Sequence, residues 1–189
     1  MQTNSVKLSQ YLNGIDTDTT LYYKNAGGRY WRLIKSFPTY FCSATSNTTT
    51  TEKTLRISSK HQKMVVAILS SSLFYWYWRV ASNCRHLTNR EIDAFPISNN
   101  SIHDSSLNKL CDEYETSLKK NKKRNVTQNK TSGEITQDFY FVRLSKPIID
   151  EIDKILAKHY GFTEEELDFI INYDIKYRMG DELNGNDNE

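Results

Sequence analysis

Apolar positions are densest in one stretch, from Ser58 to Val80. Met64, Val65, Ile68, Leu69, Ser72 and Trp76 recur there at helical spacing, and Ser59 with Gln62 makes a capping-box pattern at the start. Ser70, Ser71 and Ser72 are small, so another element can approach closely. Leu73 to Trp78 then run without a polar break. A helix end of that kind is buried all round, or it is partly covered by something outside this chain.

The pattern on either side is shorter in period. Leu21–Tyr23 and Tyr30–Lys35 are rich in β-formers and flank Asn25-Ala26-Gly27-Gly28, which predicts a β-hairpin. Phe37–Phe41 and Lys53–Ile57 read as further strands, with Pro38 at an edge or strand start and an exposed Ser43–Thr51 loop between them. After the apolar stretch, Asn89–Ala94 predicts a turn of helix, stopped by an extended Phe95-Pro96-Ile97. Residues 103–121 carry Leu107, Leu110, Cys111, Tyr114 and Leu118 on one helical face. Asn125–Gly133 reads as a polar linker and Ile135–Leu144 as a strand or extended connector. Pro147 opens a third helix with Ile148, Ile149, Ile152, Ile155 and Leu156 on one side and Gly161 as its stop. Thr163 with Glu166 caps a fourth helix, and the last two helices form a hairpin.

Charge changes this picture. The net charge of +2 conceals segregation: residues 21–90 hold 11 Lys/Arg against one Asp/Glu, and residues 119–133 hold six against none. Residues 134–189 hold six against 14. Cations interleaved with Tyr and Trp suit a nucleic-acid partner. The plain alternative is a set of solvated surface charges. Lys24, Asn25, Arg29, Arg32, Lys35, Arg56, Lys60, Arg79 and Arg85 are the candidate DNA contacts. Gly27-Gly28 lets backbone approach phosphate, and Asn25 and Arg29 are placed to reach base edges. The Lys119–Arg124 cluster is read mainly as a complement to a helix C-terminus.

Several chemistries are missing. No Pro-Pro and no Gly-x-Gly occurs, so neither a dinucleotide fingerprint nor a phosphate-cradling loop is present in its usual form. The three cysteines lack metal-ligand spacing and read as reduced thiols, and no nucleophile–base set stands out. No apolar run reaches the length of a membrane span, and the N-terminus lacks a signal-peptide pattern, so a cytoplasmic protein is expected.

Five groups of residues carry a resemblance, three in the first part of the chain and two in its closing stretch. The first three are Tyr23-Lys24-Asn25-Ala26-Gly27-Gly28-Arg29-Tyr30-Trp31, then Ala67 to Phe74, then Phe95-Pro96-Ile97. With Lys146–Asp153 and Leu167–Gly180, they resemble the C-terminal, TaqI-like specificity region of bacterial adenine-specific DNA methyltransferases and fused restriction–modification enzymes. The family's usual Leu-Asn-Ser has Ser70 in place of Asn. The resemblance implies a DNA-binding target-recognition fragment from a restriction–modification or phage-defence system. Its partners are double-stranded DNA and an N-terminal methyltransferase domain. That domain binds S-adenosylmethionine and holds the flipped adenine; this chain carries no cofactor of its own and transfers no methyl group alone. The other reading is a protein–protein interaction module of a defence complex, without DNA contact.

The expected fold is α+β, with a small mixed or antiparallel sheet from residues 21–57 and 95–97. It packs on helices 59–80 and 103–121, with a C-terminal helical hairpin as a separate lobe. The expected organisation is a polar segment 1–20, a recognition-like domain 21–124, a linker 125–145, a hairpin 146–180 and an acidic tail 181–189.

Overall fold

A computed structural model describes residues 5–12, 14, 16–26, 31–42, 52–130 and 133–179. Gly27, Gly28 and Arg29, the Ser43–Thr51 loop and the 181–189 tail lie outside them. In chain order the elements are β1 (Ser5–Lys7), β2 (Thr19–Lys24), β3 (Ile34–Lys35), β4 (Tyr40–Cys42), β5 (Glu52–Ile57), α1 (Ser59–Ser70), α2 (Ser72–Ala81) and α3 (Asn89–Ala94). There follow β6 (Pro96–Ser98), α4 (Asn99–Ile102), α5 (Ser105–Lys120), β7 (Lys122–Asn129), β8 (Gly133–Tyr140), α6 (Lys146–Tyr160), α7 (Glu164–Asn172) and α8 (Ile175–Met179). The fold is α+β, with small antiparallel sheets ordered β1–β6, β3–β2–β5 and β4–β8–β7, and a helical hairpin at the C-terminal end.

β2 and β5 alternate as half-buried strands do. Leu21, Tyr23, Leu55 and Ile57 are buried, while Thr20, Tyr22, Thr54 and Arg56 face outward. The buried row packs on α1, in which every residue from Met64 to Ser70 is buried. β3 is two residues long; among the described residues the predicted hairpin pairs at Tyr22↔Lys35 and Tyr23↔Ile34, and Lys24 N–H donates to the Leu33 carbonyl at 3.1 Å.

The apolar stretch makes two helices, bent by 68° at Ser71. The expected Ser59/Gln62 box does not form. Ser59 instead donates from backbone and hydroxyl to Asp18, and Gln62 reaches Thr19 and Thr20. The break has a clear cause. Ser71 caps α2 by accepting from Phe74, and the carboxylate of Asp153 on α6 accepts from the Ser72 and Leu73 N–H groups, each at 3.1 Å. Helix starts leave such donors unpaired, and a buried acceptor at that place favours a new N-terminus over continuation. No single helix among the described residues is long and apolar enough to cross a membrane.

Three expectations need correction. Residues 96–98 pair with β1, at Val6↔Ile97, and not with the β2 sheet; the N-terminal segment thereby brings Leu8 and Leu12 into the core. The segment read as a linker from 125 is the outer strand of a β7–β8 hairpin. The closing helices are not a separate lobe either: Ile149, Ile152 and Leu156 of α6 and Ile170 of α7 belong to the same core as α1 and α5. Gly161 ends α6 at φ +72, as predicted from its position, and the Thr163–Glu166 capping box opens α7.

The sheet β4–β8–β7 stands apart. Among the described residues it meets the main apolar cluster through the half-buried Tyr140, near Phe37, while Cys42 of β4 is buried outside that cluster. All of β7 from Lys123 to Asn129 is exposed. We call this sheet the wing.

Candidate nucleic-acid interface

The nine candidate residues do not lie on one surface. Lys24 is exposed at the end of β2. Asn25 follows, and its carbonyl accepts from Leu87 N–H at 2.9 Å, which brings the exposed Arg85 to the same end of the sheet. Arg56 is also exposed, but it pairs with Thr20 in the β2–β5 ladder and donates to the Thr17 carbonyl. That places it four residues from Lys24 along β2, roughly 13 Å away. Lys60, exposed on the first turn of α1, belongs with Arg56. Arg29 lies outside the described residues.

Two candidates are not surface cations. Lys35 is fully buried: its Nζ donates to the Phe37 carbonyl and to Glu52 Oε1, each at 2.7 Å. Burial pulls its pKa down, and Glu52 opposes that by holding the charge. Arg32 is 5% exposed, its guanidinium 3.7 Å from the centre of the Trp78 ring. Both support the fold from inside. Arg79 is half-buried, 3.4 Å from Asp174, which also accepts from the Tyr75 hydroxyl. Asn25 Oδ1 is buried, so that oxygen is not offered to a base edge.

Beside Lys24 the structure opens a cleft of about 290 Å³ between the β2–β5 end and the wing. Trp31, Leu33, Phe139, Tyr140 and Phe141 supply its apolar wall, and Lys24 and Arg143 stand at it as cations. Phe139 and Phe141 are 46% and 43% exposed, enough to offer ring faces. The two carboxylates of the wall are each engaged. Glu52 holds Lys35, and Asp138 accepts from Arg124 at 2.8 and 2.9 Å and from Lys122 at 2.6 Å. The Arg124 hydrogen bonds and then Lys122 hold the Asp138 carboxyl down to about 2, against some desolvation. Trp31 is fixed from behind, where its Nε1 donates to the Arg178 carbonyl and the Arg178 guanidinium lies 4.2 Å over the ring.

No family model, curated protein or solved structure matches this chain. The reading of the cleft therefore rests on its own chemistry: aromatic faces for stacking and cations for phosphate.

Sequence reasoning missed Trp31, Phe139, Phe141 and Arg143 as members of one site. The only sequence signal was the mixing of aromatics with cations in two segments more than a hundred residues apart. It also missed a hydrogen-bonded chain with the composition of a nucleophilic triad. Ser101 Oγ lies 2.9 Å from His159 Nδ1, and His159 Nε2 lies 2.9 Å from Asp104. Ser101 is fully buried, so an attacking hydroxyl has no open face toward a substrate. With Ser98 donating to the His159 carbonyl, the group ties α4 to the end of α6.

Proposed function

We propose that this chain is the DNA-reading part of a bacterial adenine-specific DNA methyltransferase of a restriction–modification or phage-defence system, acting in the cytoplasm. Methyl transfer and S-adenosylmethionine belong, in this reading, to a methyltransferase domain that works with it. The resemblance of residues 20–180 to TaqI-like specificity regions suggests the family. The observation that carries the reading is the aromatic cleft with Lys24 and Arg143 at it and Arg85 nearby. Exposed rings beside cations are the side chains that hold a nucleic-acid backbone and stack on bases.

In this reading each residue takes a role that its position supports. Lys24 and Arg85 neutralise phosphate at the open end of the β2 sheet. Trp31, Phe139 and Phe141 give flat faces to bases or sugars. Arg56 and Lys60, at the far end of that sheet, contribute only to long-range attraction.

The test is binding of a fluorescent duplex across a salt series. Lys24→Ala and Arg85→Ala each lower the slope of log affinity against log salt by about 0.9, one phosphate contact apiece. Arg56→Ala leaves the slope within error. Calorimetry with S-adenosylmethionine shows no heat on the isolated chain. A chain that binds no duplex even at low salt, and elutes early from heparin, is instead a protein-interaction module.

A further inference from the structure

Which element reads the bases is a separate question from which residues hold the backbone, and the register of the wing bears on it. In β7–β8, Lys123 pairs with Phe139, Asn125 with Gln137, Thr127 with Ile135 and Asn129 with Gly133. Paired residues share a sheet face, and alternate residues share it along each strand. One face of the wing therefore presents Lys123, Asn125, Thr127, Asn129 and Gln137, together with the exposed Phe139 and the half-buried Ile135. Tyr40 of β4, opposite Gln137, and Cys42, opposite Ile135, share that side, and Cys42 is buried there, so the open part of the face is its β7 side.

That face holds no acidic residue. Both carboxylates of the hairpin, Glu134 and Asp138, fall on the other face, across from Gln128 and Arg124. There Asp138 is taken up by Arg124 and Lys122, and Glu134 accepts from Gln128. The sorting leaves amides, a hydroxyl and a lysine on this face along β7, apolar Phe139 and Ile135 beside them on β8, and no carboxylate to repel phosphate. The hairpin is also held rigid at its base: Phe141 N–H donates to the Asn121 carbonyl at 3.0 Å, and Asp138 N–H to Thr39 at the same distance. The cleft draws lining from both faces of the wing, Gln137 and Phe139 from this one and Asp138 and Tyr140 from the other, so this face borders the cleft along β8.

We propose that this face of the wing enters the major groove of duplex DNA and reads base edges through Asn125 and Thr127, with Lys123 on the flanking phosphate. The proposal rests on the DNA-reading function above and assigns its specificity to the β7–β8 hairpin. A major groove of about 12 Å admits a β-ribbon, sheet readers use this geometry, and an Asn amide matches the donor and acceptor of adenine. Capture of a strand from another protein along the β7 edge is disfavoured by Lys122, Lys123 and Arg124, charges of the kind that block edge pairing.

The experiment selects binding sites for the intact chain from a randomised duplex library, then measures affinity for the selected site against salt. Native chain, Lys123→Ala, Asn125→Ala/Thr127→Ala and the opposite-face control Val126→Ala/Gln128→Ala are compared. All of these positions are exposed, so the variants fold. Lys123→Ala lowers the salt slope by about 0.9. Asn125→Ala/Thr127→Ala keeps the slope, loses roughly tenfold or more on the selected site, and selects a degenerate base where the native chain selects one. The control matches the native chain. If Asn125→Ala/Thr127→Ala selects the native site with native affinity while duplex still binds, the wing does not read bases and the DNA-binding function stands. If the native chain binds no duplex, the function itself fails.

Discussion

Asp153 is a carboxylate with almost no exposure, and its position decides the shape of the longest apolar stretch. Its two oxygens receive the Ser72 and Leu73 N–H groups, while Arg178 donates to the Ser72 hydroxyl nearby. Burial pushes its pKa up to about 6, despite the opposing hydrogen bonds and the Arg178 charge. The folded state then binds this proton more tightly than the unfolded one. Its contribution is full below about pH 4 and is lost as pH rises through about 6. Urea unfolding between pH 4 and 7 should show the native chain losing on the order of 3 kcal/mol relative to Asp153→Asn, which cannot titrate. Parallel profiles for the two would mean that Asp153 is not held protonated by the fold. Residues of this kind explain the limits of reading surface cations from sequence. Lys35 and Arg32 count as positive charges in the basic first half, yet their partners, Glu52 and Trp78, lie 17 and 46 positions away and take them inside.

At the scale of elements, apolar periodicity located the helices and their outer ends closely and missed one internal break. The 58–80 stretch is helical as its spacing predicts, but the break at Ser71 does not stand out within a run of three serines, and the carboxylate that completes it, Asp153, sits on α6. Ser71→Ala removes the hydroxyl that accepts from Phe74 and should destabilise the chain by about 1 kcal/mol in thermal or urea unfolding. No change would mean that Asp153 alone specifies the start of α2. The wing failed to read as a sheet for the opposite reason. Lys122–Asn129 has no alternation of apolar and polar residues, since neither of its faces is buried in the core. It is a strand because β8 pairs along its whole length and Asp138 clamps its base. By contrast, Gly161 and Thr163–Glu166 act through residues within one turn, and both were legible.

At the scale of the molecule, charge segregation and fold are two separate patterns. The core runs from Leu8 near the N-terminus to Ile170 of α7, so acidic and basic segments fold as one body and not as two lobes. The expected division at residue 124 follows composition; the physical division lies between that body and the wing, which draws β4 from the basic half and β8 from the acidic half. The cleft at their junction was out of reach for a sequence reading, because it joins Lys24 and Trp31 to Phe139 and Arg143 only after the wing is in place.

That junction also gives the protein its own optical signal. Of the three tryptophans, Trp78 is buried and Trp76 half-buried within α2, whereas Trp31 forms part of the cleft wall with a guanidinium on its ring. Anything that enters the cleft alters the polarity and the collisional environment of that one indole. Duplex addition should therefore shift or quench intrinsic emission, and Trp31→Phe should abolish the change while leaving most of the basal emission. Stopped-flow mixing would then time the entry of DNA without any attached label, and an emission change that survives Trp31→Phe would place the responding indole in α2.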